Sequence, residues 1–268
     1  MSHVVTALPP QRRFGETMRR DNWWIEPLIT FGALFAFLVY ANWAAFQNAH
    51  YTFGPYLSPF YSPELWGSSH HAWFGPKPEW WPTFLPFSPA LLVLWAPGGF
   101  RMTCYYYRGA YYKAFIADPA SCAVGEPKRN YKGETGIPLI LQNWHRYFMY
   151  LALPFLLILT YDVWKAFWFT DPATGQTSFG IGLGTIILAV NVCLLSCYVL
   201  GCHSLRHWVG GKMDQLSKSP LRRKAFDCSS CLNRRHMNWA WPSLVWVAFS
   251  DIYVRLCSMG IWHDWRIL

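Results

Sequence analysis

Two of the four connections between the long apolar segments of this chain have almost no cationic residues. The first carries Lys77 alone, and the third, residues 170–178, carries none. Neither connection holds a cysteine, although the chain has eight. That pattern argues against a disulfide scaffold and for reduced thiols or metal ligands. A glycine-rich dinucleotide fingerprint is missing, which excludes a nucleotide-dependent dehydrogenase acting alone. No internal repeat is visible and intramembrane acids are few, which speaks against a transporter. The charged N-terminal stretch runs into a full-length span with no small-residue cleavage site, so it does not read as a signal peptide.

Apolar and aromatic residues dominate what is there. Of 268 residues 53% are hydrophobic, and 17 are Trp. Mean hydropathy is only +0.10, because Trp and Tyr score poorly yet suit the membrane interface. Five apolar segments, at about 23–46, 86–112, 144–168, 179–208 and 237–262, each reach the roughly 20 residues a bilayer core needs. Most of the cations fall near the ends of these segments or beyond them, and mostly on one side. Arg12, Arg13, Arg19 and Arg20 precede the first segment. Arg108, Lys113, Lys128, Arg129 and Lys132 follow the second. Arg206, Lys212, Lys218, Arg222, Arg223, Lys224, Arg234 and Arg235 follow the fourth. Cytoplasmic loops retain Lys and Arg. The expectation is an all-α polytopic protein, one membrane domain over residues 1–268, with five transmembrane helices in the cell's plasma membrane. Its N-terminus and the loops 113–143 and 209–236 are cytoplasmic, and its C-terminus is outside. The net charge of +9 flanks spans and forms no separate module, so it suits anionic lipid or an acidic partner and not nucleic acid. Pro97-Gly98-Gly99 should bend the second segment. Residues 51–83 read as an irregular outer cap, and the turn-rich loop 117–136 as ordered against another part of the chain.

Two motifs suggest a metal. His203 and His207 are four apart, so on a helix they share a face one turn apart. Cys228-Ser229-Ser230-Cys231 is a C-x-x-C flanked by Arg234, Arg235 and His236. Both lie at the cytoplasmic face by the charge argument. Two His and two Cys suit tetrahedral zinc or a Rieske-type [2Fe–2S] centre. Cys202 and His236 are the natural substitutes if one of the four is wrong. Alternatively the thiols simply pack as small hydrophobes. In the second segment Arg101, Cys104 and Arg108 share a helical face beside Tyr105 to Tyr107. An intramembrane Arg faces the bundle interior or a polar cavity, and Arg and Tyr donors suit the carbonyls of a quinone. His145, at the inner end of the third segment, is a candidate haem ligand, quinone ligand or proton carrier.

The run Phe100-Arg101, then Cys104-Tyr105-Tyr106-Tyr107-Arg108, Tyr111-Tyr112-Lys113 and finally Cys122, set in five spans with a basic inner face, resembles a known family. It is similar to the membrane anchor subunits of succinate dehydrogenases and fumarate reductases, and among them to an actinobacterial-type branch. The resemblance covers most of the chain. It implies a complex in which a flavoprotein oxidises succinate, a soluble iron–sulfur subunit carries the electrons and the anchor passes them to menaquinone or ubiquinone. Better-known five-span anchors hold two b haems through four His within the helices. Here the outer half lacks such His, which favours a Rieske-type centre on His203, His207, Cys228 and Cys231. Arg101, Tyr106 and Arg108 would then meet the quinone, His145 or Tyr147 would supply protons, and loops 117–136 and 212–224 would dock the partner. Two other readings stay open: a haem b subunit using His145 with His203 or His207, and a non-redox protein with a structural zinc.

Overall fold

Apolar sequence with few breakers gives, among the described residues, three helices long and apolar enough to cross a membrane: Ile25–Gln47, Ile140–Lys165 and Leu183–Leu200. The computed structural model describes residues 13–127, 136, 139–171, 173–211 and 214–268. Arg12, Lys128, Arg129, Lys132 and Lys212 lie outside the described residues. The chain divides into two compact units, residues 1–36 with 103–143, and residues 37–102 with 144–268. Helix α1, Ile25–Gln47, runs through both.

In the first unit, the segment before α1 pairs with the second connection. Gly15 N donates to Gly125 O at 3.0 Å and Gly125 N to Glu16 O at 2.9 Å. Thr17 Oγ1 donates to Ala123 O at 2.9 Å. Arg19 is ion-paired with Asp21 and reaches Ser121 Oγ at 2.8 Å and Cys122 O at 3.0 Å. Residues 121–125 of the turn-rich loop are therefore ordered against the N-terminal segment. The unit also holds α4, Tyr105–Tyr111, followed by a π-helical turn, Tyr112–Ile116.

The second unit contains α2 (Pro89–Val93), α3 (Trp95–Met102), α5 (His145–Lys165), α6 (Leu183–Leu200), α7 (His203–Gly210), α8 (Pro220–Asn233) and α9 (His236–Ser258). The segment 86–112 reads in sequence as one span bent at Pro97-Gly98-Gly99. It is three short helices, broken at Leu94 and at Thr103-Cys104. Pro97 sits in the first turn of α3, where a missing N–H costs nothing. Gly98 N still donates to Leu94 O at 2.9 Å, so the bend falls elsewhere than expected. Gly99 has a packing reason: a Cβ there would lie 2.2 Å from the Phe148 ring of α5.

The expected span over 179–208 also breaks. α6 stops at Leu200, Cys202 is extended (φ −64, ψ 135), and α7 begins at His203. Gly201 fits there because a Cβ would meet Cys197 O at 2.8 Å and Leu232 Cβ at 3.0 Å. α9, with 23 residues, is about 34 Å long, but Asp251 and Arg255 interrupt its apolar face.

The segment after α1 is more regular and more buried than a surface cap. Thr52–Phe53 and Tyr56–Leu57 form antiparallel strands β1 and β2, and Tyr56 and Tyr61 are fully buried. Hydroxyls of this segment reach acids elsewhere in the unit. Ser58 donates to Asp251 of α9 and Ser62 to Asp162 of α5, while Tyr56 donates to Asp264 at 2.8 Å. The third connection is a hairpin, β3 (Trp168–Thr170) with β4 (Thr177–Phe179). Asp171 closes its turn by accepting from Ala173 N and Thr174 Oγ1, both at 2.9 Å, which holds its carboxyl below the ordinary value.

Candidate functional site

The break between α6 and α7 buries a thiol. Cys202 caps α7 and is fully buried. Its Sγ lies 3.1 Å from Nε2 of His145, the first residue of α5. The His145 ring stacks on Phe100 of α3, with centroids 4.7 Å apart. Phe100 meets Tyr198 of α6 edge-on at 5.4 Å, and Tyr198 stacks on His236 at 4.8 Å. His236 opens α9 and is 1% exposed. Arg101 lies over the Tyr198 ring at 4.6 Å. Its guanidinium donates to Ala240 O at 3.1 Å and to Ser243 Oγ at 2.9 Å. Two imidazoles and one thiol thus lie in an aromatic cluster formed by α3, α5, α6 and α9, with Cys202 and His236 fully buried and His145 partly so. Neutral imidazole and thiolate are the forms that bind metals.

The four ligands expected from sequence do not converge. His203 and His207 do come together, Nε2 to Nε2 at 3.0 Å, on the exposed side of α7. Cys228 and Cys231 are both exposed. Among the described residues, no group of three or more His, Cys, Asp or Glu side chains could hold a metal ion. The reason is the rotation of α8. Ser229 Oγ donates to Leu200 O at 2.9 Å, Asn233 Nδ2 donates to Gly201 O at 2.8 Å, and Ser230 Oγ accepts from Arg206 Nε at 3.0 Å. Phe226 lies under the Arg206 guanidinium. Positions 226, 229, 230 and 233 make one helical stripe, and Cys228 and Cys231 sit about 150° around from its centre. The substitutes Cys202 and His236 are the buried ones.

The expected quinone residues divide between the units. Arg101 belongs to the second. Tyr106 and Arg108 belong to the first, where they line a cavity of about 660 Å³ with Tyr105, Tyr112, Lys113, Asp118 and Glu126. The Arg108 guanidinium lies over the Tyr105 ring at 5.5 Å and the Tyr112 ring at 5.7 Å. Burial, and then the neighbouring Asp118 carboxylate, push the Glu126 carboxyl up. The volume is in the range of small-molecule sites. His145 and Tyr147 do not share a site. They are about 200° apart around α5. Tyr147 is 67% exposed and lines an apolar groove with Trp95, Trp144, Phe148 and Leu151. Sequence reasoning did not see that Cys202 would pair with His145, because the two are 57 residues apart.

Comparison with known proteins is consistent with this geometry. A family model described as the actinobacterial succinate dehydrogenase subunit SdhC matches residues 25–260. Among solved structures, the chain is similar to one in the "Mycobacterium smegmatis Sdh1 complex in the apo form". They share 42% identity over 98% of this chain and 96% of that one, with a TM-score of 0.84. No curated protein matches.

Proposed function

Since the chain belongs to the family of actinobacterial succinate dehydrogenase SdhC subunits, we propose that it is the membrane anchor of such a complex and its site of quinone reduction. Its partners are the soluble iron–sulfur subunit and the flavoprotein, and alone it has no dehydrogenase activity. The charge distribution supports five membrane-crossing segments in one membrane domain, N-terminus inside and C-terminus outside.

The observation that carries the redox part is the buried His145–Cys202 pair, Nε2 to Sγ 3.1 Å, with His236 on the far side of Tyr198. These donors match in type three of the two His and two Cys that a Rieske-type [2Fe–2S] centre uses, although the contact is between His145 and Cys202 and the three side chains do not form one ligand group among the described residues. The set His203, His207, Cys228 and Cys231 does not fit, because it does not converge. When bound, such a centre supplies a one-electron relay of raised potential. The chain's own residues prepare the place. Phe100 and Tyr198 keep water from both imidazoles, and Arg101 ties α3 to α9 through Ala240 and Ser243. In the first unit, Arg108 and Tyr106 offer donors to the carbonyl oxygens of a menaquinone or ubiquinone head group. His145 and Tyr147 remain the proposed proton carriers, with His145 the better protected from bulk water.

Electron paramagnetic resonance of the reduced, intact complex tests the reading. The expected result is a Rieske-like signal that disappears in Cys202→Ala and in His145→Ala and survives in Cys228→Ser with Cys231→Ser. Single Cys→Ser variants then identify the second thiolate. A signal unaffected by Cys202→Ala overturns the ligand assignment. Sharp α-bands in the reduced optical spectrum would instead favour haem b on His145.

A further inference from the structure

The imidazoles of His203 and His207 stand outside the site just described, and their arrangement is specific. Both are exposed. Their Nε2 atoms face each other at 3.0 Å, with ring centroids 4.4 Å apart and planes at 75°. The 3.0 Å spacing is that of an N–H···N hydrogen bond between the two rings, and it is also close to what two metal–imidazole bonds of about 2.0–2.1 Å would span. Two of these bonds at a right angle place the nitrogens roughly 2.9 Å apart, and at a tetrahedral angle roughly 3.3 Å. The observed spacing is nearer the first value, the angle favoured by Ni²⁺ and Cu²⁺.

The helix that carries the pair is well fixed. α7 starts at the buried Cys202 and is held against α8. Arg222 donates to Val209 O at 2.7 Å and to Gly211 O at 3.1 Å. The cation between the two histidines in sequence, Arg206, is bonded to Ser230 and stacked on Phe226 at 5.0 Å. A rigid platform lowers the ordering cost of binding.

We infer that His203 and His207 form a surface site for one divalent first-row transition-metal ion, with water completing its coordination. The ion would tie together the first and second turns of α7, directly after Cys202. This inference does not depend on the redox reading.

Isothermal titration of the intact, detergent-solubilised complex with Ni²⁺ tests it. The expected result is one ion per chain, with affinity falling at least tenfold in His207→Gln and in His203→Gln and unchanged in Cys228→Ser with Cys231→Ser. Both histidines are exposed, so the Gln variants should fold normally, and an unchanged melting temperature checks this. No stoichiometric binding by the wild type, equal binding by the Gln variants, or loss of binding in the cysteine variant would each overturn the inference.

Discussion

Asp251 and Arg255 form an ion pair across one turn of α9, Oδ2 to Nε 3.3 Å, with side chains 0% and 4% exposed. Tyr40 and Ser58 donate to the same carboxylate. Arg255 also donates to Ala49 O at 2.8 Å and lies over Trp43 at 5.1 Å. A buried pair adds little net stability, but removing one partner strands the other charge. Asp251→Asn should therefore destabilise the protein by about 3–5 kcal/mol. Asp251→Leu with Arg255→Met should recover much of that loss. Thermal unfolding of the solubilised complex compares the three. A double variant no better than Asp251→Asn would show that the charges carry more than their own pairing.

Gly99 leaves no room for a methyl group, since its Cβ would meet Phe148 at 2.2 Å. Gly99→Ala should cost about 1–3 kcal/mol through overpacking. Adding Phe148→Leu should restore part of it. The melting temperatures of the single and double variants are the measurement.

His71, in the outer connection, should make stability rise with pH in mildly acidic solution. It is 3% exposed, and neither ring nitrogen has a hydrogen-bond partner among the described residues. Burial, with smaller contributions from the charges of His70 and Lys165, pushes it from 6.5 down to about 3. Between those values the unfolded chain binds a proton that the folded one does not. Its contribution is complete above about 6.5 and is lost as pH falls toward about 3. The slope reaches about 1.4 kcal/mol per pH unit for one proton. Melting curves at pH 4 to 7 should be flatter for His71→Leu than for the wild type.

Arg108 carries the expected quinone contact in the first unit. Arg108→Leu should raise the quinone KM about ten- to a hundredfold, as losing one charged hydrogen bond of about 1.5–3 kcal/mol implies, with kcat less affected. Steady-state quinone reduction by the intact complex measures the split. An unchanged KM would place the quinone elsewhere.

The long helices were legible because α1, α5 and α6 are apolar runs, a signal that needs no tertiary information. The break at Gly201-Cys202 was not, since both residues fit an apolar run and the close approach of Leu232 to Gly201 comes from α8, far along the sequence. The C-x-x-C spacing correctly placed Cys228 and Cys231 on one face of α8. It did not tell which face, although the stripe Phe226, Ser229, Ser230 and Asn233 carried that information. His236 and Cys202 were visible only as substitutes, because their burial comes from Tyr198, Phe100 and His145 on other helices. In span two Pro97-Gly98-Gly99 suggested a bend, yet α3 runs unbroken through them with Gly99 packed against Phe148, and the breaks fall on either side of it.

The outer hairpin sets a timetable for biosynthesis. Tyr56 is made early, but the carboxylate that receives its hydroxyl, Asp264, lies 208 residues later. Ser58 waits in the same way for Asp251, 193 residues on. Until the C-terminal part of the chain is in place, these two hydroxyls lack their acid acceptors, so this hairpin completes its hydrogen bonds late although it is translated before α5.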